Sequence, residues 1–291
     1  MLDTLRAKLL ILGQSAFSAV IGLVAVLLLE LAVVGWDKCS LKKLLAPSAS
    51  LKRDLISYFL DVTGGLRIVG NLVALGSALY FGSWARDHLG LNLLQSVPSI
   101  IAQNLALILL IGFVEYWMHR MMHTFPWMWE IHRFHHSATE MSVFTARRDS
   151  ILTVPLGTFF HAVPFALLGT PTEYPIFAGV ISAHAMFIHS EIPWDLGWFG
   201  RWILISPYAH RIHHSIDEKH FNRNYAFLLP IWDQIFGTYY EPRDPSPAVG
   251  IRGDQYNQIS YLKGMAMGIK WMIGALKKPS TGSHETRATT P

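Results

Sequence analysis

Residues 115–137 read "EYWMHRMMHTFPWMWEIHRFHHS" and place five histidines inside the eighteen positions 119–136. They follow an apolar run, 97–114, that contains no Asp, Glu, Lys or Arg. Side chains three and four apart share one face of a helix, so His119 with His123 (H-x-x-x-H) can aim at one point. The same holds for His132 with His135 and His136 (H-x-x-H-H), and for a second H-x-x-H-H at His210, His213 and His214. Eight nitrogens in three clusters exceed the three or four protein ligands of a zinc site, and two metals use them economically. Imidazole suits zinc, iron, copper and nickel alike, so these residues leave the metal open.

Working outward, the chain is apolar: 51% of its 291 residues are hydrophobic and 15% charged, with a mean hydropathy of +0.30. That exceeds the apolar share of a soluble domain and points to a membrane protein. Apolar runs occupy 9–35, 68–84, 97–114, 151–168 and 174–188. About 20 residues cross a bilayer core. The first run is therefore a span, whereas the last two flank "GTPTEYP" and read as a tight hairpin. Arg6 and Lys8 precede the first run as in a signal peptide, but its length and the lack of a small-x-small cleavage site favour a retained anchor. The expected fold is an all-α integral membrane bundle of four to five apolar spans or hairpins, with a histidine-rich helical cap.

Lys38, Lys42, Lys43, Lys52, Arg53 and Arg67 lie between the first two runs, against only Arg86 with Asp87 in the next loop. The positive-inside rule puts 36–67 in the cytoplasm, and counting spans puts 115–150 and everything after 189 there too. The net charge of +4 is scattered over span ends, which suits anionic lipid headgroups and not nucleic acid. Cys39 is the single cysteine, so neither an internal disulfide nor a thiolate cluster is possible. The expected organisation is an anchor at 1–114 and a catalytic region at 115–242 that includes a membrane hairpin at 151–189. A cap or interfacial helix at 243–278 and a disordered tail at 279–291 follow.

Ionisable groups near a bilayer mark functional sites. His189 closes the run at 174–189, at the boundary expected for the clusters, and joins them as a ninth candidate; His184, five residues earlier, is a possible further ligand. His161, mid-run, reads as a neutral, hydrogen-bonded core histidine, and His88, His220 and His284 as solvent-facing. Glu115, Asp149 and Asp233 are the candidate carboxylate acceptors for the second N–H of a bound imidazole. Trp117, Phe125, Trp127, Trp129, Phe134, Trp194, Trp198 and Trp202 suit an interfacial aromatic belt.

Over roughly 105–242 the chain resembles the fatty acid hydroxylase superfamily, also called the sterol desaturase family. The resemblance rests on "EYWMHRMMH", "WEIHRFHHS", "FIHSEIPWDLG", "SPYAHRIHHS" and "NRNYAFLLPIWDQIFGTYY". It implies a non-heme di-iron centre, two irons held almost wholly by histidine, that uses O2 to attack a C–H bond of a membrane lipid. The implied ligands are His119, His123, His132, His135, His136, His189, His210, His213 and His214. Electrons would come from an external donor of the ferredoxin, cytochrome b5 or reductase type. The chain departs from the family pattern after "FTARR", where Asp149 and Ser150 replace a frequent His-Pro, and at Glu191, where asparagine is common. A lipid desaturase with the same centre is the nearest alternative to a hydroxylase. A metal transporter would place its ligands near the midplane of several spans, and a zinc hydrolase would need a positioned general base. A bacterial cytoplasmic membrane is the expected location.

Overall fold

The computed structural model describes residues 20–66, 93–168, 174–241 and 247–277, with isolated positions between 67 and 92. The start of the first apolar run, most of the 68–84 run, residues 169–173 and 242–246, and the tail at 279–291 lie outside the described residues. The elements are all helical: α1 (Val20–Val34), α2 (Ser40–Lys43), α3 (Ala49–Val62), α4 (Ile100–Thr124), α5 (Pro126–His136), α6 (Thr153–Leu168), α7 (Tyr174–His189), α8 (Gly197–Trp202), α9 (Pro207–His213), α10 (Ile231–Ile235) and α11 (Tyr261–Leu276). Among the described residues there is no β-strand, only one bridge between Ser215 and Val249.

Helix α4, 25 residues, is about 37 Å long at 1.5 Å per residue. It is the one described helix long and apolar enough to cross a bilayer. Helices α6 and α7 have 16 residues each, about 24 Å, and fall short of a ~30 Å hydrocarbon core. The described residues thus contain one helix of spanning length beside shorter apolar ones.

Local sequence sets the corner that matters most. Phe125 precedes Pro126 and cannot stay helical, because the proline ring clashes with a helical residue before it. Helix α4 ends there, and Phe125 (φ −88°, ψ 126°) is at once its C-cap and the N-cap of α5, which starts on proline. Two histidine-bearing helices are thereby folded onto each other. Ser206 caps α9 by accepting from Ala209 N at 3.1 Å, again with proline at the first helical position.

Around this corner the other elements form a collar. Val26, Leu51, Val143, Phe144 and Met186 make a core that joins α1, α3, α7 and the turn at 143–147. Gly22 permits the approach of α1 to α7: a Cβ there would lie 2.8 Å from the Cβ of Ala183. Helix α11 covers α5 through Phe134, Tyr256 and Met265, with the Arg133 guanidinium 4.6 Å over the Trp271 ring. The same helix leaves Leu262, Ile273 and Leu276 exposed.

Arg148 is wholly buried and ties the collar together. Its guanidinium donates to Asp54 Oδ1 (2.7 Å), Ser50 O (3.0 Å), Phe134 O (2.8 Å), Ser137 Oγ (2.7 Å) and Asn257 Oδ1 (2.9 Å). Every donor of a buried cation is thus engaged, the condition under which such a charge is tolerable. Burial raises the Asp54 carboxyl, and Arg148 opposes that rise. The basic stretch at 36–62 therefore packs directly against the histidine-bearing region.

Candidate metal centre

The nine histidines converge in two sets. His119 and His123 from α4, His132 and His136 from α5, and His213 from α9 form the first; His135, His189, His210 and His214 form the second. Within each set the nearest ring nitrogens lie within 4.8 Å of one another. The α5 cluster divides between them, because His132 and His136, four apart, share one face and His135 points off it. The sets adjoin: the rings of His136 and His214 stack at 4.4 Å.

Backbone carbonyls orient three of the rings. His119 Nδ1 donates to Tyr225 O at 2.6 Å, His213 Nδ1 to Arg223 O at 2.8 Å, and His189 Nδ1 to Ala185 O at 2.7 Å. A carbonyl only accepts, so Nδ1 carries the proton and the neutral ring has a bare lone pair on Nε2. Those lone pairs point inward. His119 Nε2 lies 3.0 Å from His132 Nε2, which is 3.1 Å from His136 Nε2. His189 Nε2 lies 2.9 Å from His210 Nε2 and 3.3 Å from His135 Nε2. His213 Nε2 is buried without a hydrogen-bond partner.

Buried acceptors aimed at one another are unfavourable unless something electropositive sits between them. Two nitrogens each ~2.1 Å from one ion, at right angles, are ~3.0 Å apart, which is the spacing found. The donor set therefore fits a metal in each set. Burial, and after it repulsion among the imidazoles, holds His132, His135, His136, His210, His213 and His214 well below the usual histidine range. They are neutral near pH 7, the protonation state that binds metal.

Comparison with known proteins agrees with this geometry. Residues 104–238 match the family model described as fatty acid hydroxylase. Over this region, just under half of the chain, the protein is similar to the fatty acid hydroxylase superfamily. A human alkylglycerol monooxygenase is 36% identical over 129 residues, which is 44% of this chain and 28% of that protein. An ornithine lipid hydroxylase from Rhizobium tropici is 32% identical over 144 residues, 47% of this chain and 42% of that protein. The chain thus spans less than half the length of these relatives. No solved structure matches.

Outside the nine histidines, some positions follow expectation and others do not. Glu115 accepts from no histidine of either set; it pairs with His161 Nε2 at 2.7 Å. His161 is therefore hydrogen-bonded as expected, but with 39% of its side chain exposed it is no core residue. Asp149 lies beside Arg147 and Asp61, and burial pushes it up to about 6; no hydrogen bond links it to the clusters. His184 is buried against Phe187 and Phe227 and belongs to neither set. His88 is exposed, whereas His220 is buried, because the 218–220 turn folds it back onto Ser215 Oγ at 2.8 Å. Trp194, Trp198 and Trp202 are exposed as an interfacial belt would require, and Phe134 is buried under α11.

Asp233 acts at one remove. Its carboxylate accepts from Tyr225 N (2.9 Å), Ala226 N (2.7 Å) and Thr238 Oγ1 (2.6 Å), fixing the segment whose carbonyls brace His119 and His213. Asn224 is the residue that sequence reasoning missed. It is fully buried at φ 55°, a left-handed conformation that asparagine tolerates better than most residues. Its Nδ2 donates to Ala209 O (2.9 Å) and Tyr240 O (2.7 Å), and its Oδ1 accepts from Tyr240 N (2.7 Å). The signal was present in "NRNYAF", where Asn222 and Asn224 alternate and both have positive φ.

Glu191, where asparagine is common in the family, is gripped by Lys43 Nζ (2.6 Å) and Arg211 (2.5 Å). Burial raises its carboxyl, but the two cations outweigh that and leave it below the ordinary carboxylate range. Arg211 stands between His210 and His213 on α9, so this ion-paired cluster joins α2 and α7 to the second histidine set.

Proposed function

We propose that this chain is an O2-dependent lipid hydroxylase whose two histidine sets each hold one iron. His119, His123, His132, His136 and His213 would hold one ion, and His135, His189, His210 and His214 the other. The observation that carries the reading is the convergence of Nε2 lone pairs fixed by the carbonyls of Tyr225, Arg223 and Ala185. Bound iron would supply the O2-derived oxidant that attacks a C–H bond. The protein's own part is to keep the imidazoles neutral, hold each in one tautomer and exclude water from a buried cluster. The names of the relatives, a monooxygenase of alkylglycerols and a hydroxylase of ornithine lipids, support a lipid substrate.

The catalytic region is 115–242, with 1–114 as a multi-pass anchor and 243–278 as a cap over α5. The site faces the cytoplasm, a reading supported by the packing of the basic 36–62 stretch against the site region. Electrons come from a separate carrier protein. Elemental analysis of detergent-purified protein tests this: about two irons per chain, and lipid products heavier by one oxygen, are expected. Stoichiometric zinc without iron, after growth in iron-replete medium, would replace the oxygenase by a zinc hydrolase.

A further inference from the structure

Beside the first histidine set lies a buried phenol with an ordered exit for its proton. Tyr116, on α4, has no exposed surface. Arg120 Nη1 donates to its hydroxyl at 3.0 Å, and Thr238 Oγ1 lies 3.0 Å from it. Thr238 has one proton and donates it to Asp233 Oδ1 at 2.6 Å. The Tyr116–Thr238 contact must therefore have Tyr116 as donor. The order runs from phenol to threonine to a buried carboxylate.

The Tyr116 ring stacks on Phe236 and meets a second phenol edge-on. Tyr116 and Tyr225 have centroids 6.1 Å apart, and Tyr225 lies 5.3, 5.9 and 6.0 Å from His123, His119 and His213. Two phenols thus step from the candidate ligands to a residue that can release an electron and a proton together. Trp117 is 5.7 Å further on, but the Arg120 guanidinium sits 5.3 Å over its ring. A cation over the ring opposes a positive charge on it, so the path ends at Tyr116. Ring packing alone would be served as well by phenylalanine; the directed hydroxyl chain would not.

We propose that Tyr116, reached through Tyr225, is a one-electron sink that protects the histidine ligands when the centre is oxidised with no lipid in place. This rests on the O2-dependent reading above. One electron passes from Tyr116 through Tyr225 to the O2-derived oxidant at iron. The phenol proton moves to Thr238 as Thr238 passes its own to Asp233. The products are a neutral tyrosyl radical and a protonated Asp233. One electron from the external donor, with return of the proton, restores both.

The test uses the full chain, iron-loaded in detergent, reduced, and mixed with O2 without lipid. Frozen samples are read by electron paramagnetic resonance, and digested samples are mapped by mass spectrometry. The expected result is a tyrosyl signal in the native protein, narrowed by ring-deuterated tyrosine. It should be lost in Tyr116→Phe and diminished in Thr238→Val, which keeps the ring but removes the proton path. Oxygen addition to peptides carrying His119, His123 and His213 should rise in both variants. Absence of the signal in native protein, or equal histidine oxidation in native protein and variants, overturns the proposal. If Tyr116→Phe fails to fold, Thr238→Val and the deuterium narrowing decide it. Lipid turnover without a radical removes the sink alone; a chain that binds no iron removes the oxygenase reading and the sink with it.

Discussion

The five-histidine set and the four-histidine set are built from one side chain and are held by different means. In the second set His189 is oriented by Ala185, one turn back on its own helix, so the brace forms as soon as α7 does. In the first, His119 on α4 and His213 on α9 both lean on the segment 223–225, about a hundred residues from His119 in the chain. That segment is irregular and depends on Asn224 and Asp233 for its shape. One set is thus braced by secondary structure and the other by a loop, and perturbing the loop should separate them.

The largest expected effect is from removing a ligand candidate. His213→Ala should strip the first set and His135→Ala the second, each abolishing lipid oxidation while the protein still inserts. Iron per chain, measured on both, reads which ion is lost; full activity in either would take that histidine out of its set. Next comes Arg148→Met, which leaves Asp54 buried without its partner. Breaking such a pair costs about 3–5 kcal/mol. Thermal unfolding in detergent should show this loss, and both sets should lose metal together, since Arg148 braces the collar around both.

Asn224→Ala should act on the first set alone. Loss of an outer support of this kind weakens metal binding by about 10–100-fold. Chelator competition should resolve one weakened and one unchanged ion; equal weakening of both would erase the distinction drawn above. Acidification is a milder test. The folded histidines titrate well below 6.5, so an unfolded chain takes up protons first as pH falls through 6.5. The metal-free protein should keep its stability above that pH and lose it progressively below. An unfolding midpoint independent of pH between 7 and 5 would contradict the neutral, buried state. The smallest effect is expected from His184→Leu, with both ions retained; loss of one would enlarge the four-histidine set to five.

The 3- and 4-residue spacings of His119/His123, His132/His135/His136 and His210/His213/His214 made the clusters legible, because helical geometry keeps residues so spaced near one another on one side of a helix, but it did not show that both three-histidine clusters divide between two sets. Pro126 made the α4–α5 corner legible for a similarly local reason. The burial of His220 and the partner of Glu115 were not legible, because each depends on a neighbour brought from elsewhere: the folded-back 215–220 turn for His220, and His161 of α6 for Glu115.

The sequence by itself determined that the chain is helical and apolar, and that many imidazoles gather where a long apolar helix ends. Only the tertiary structure decided how nine histidines divide into five and four. It also decided which carbonyls fix their tautomers, and that Asp233 works through a backbone segment and not by touching a ring. The physical reason is range. Helical periodicity acts within a few residues, whereas the direction of a lone pair is set by whichever carbonyl folding brings within ~3 Å of the opposite nitrogen.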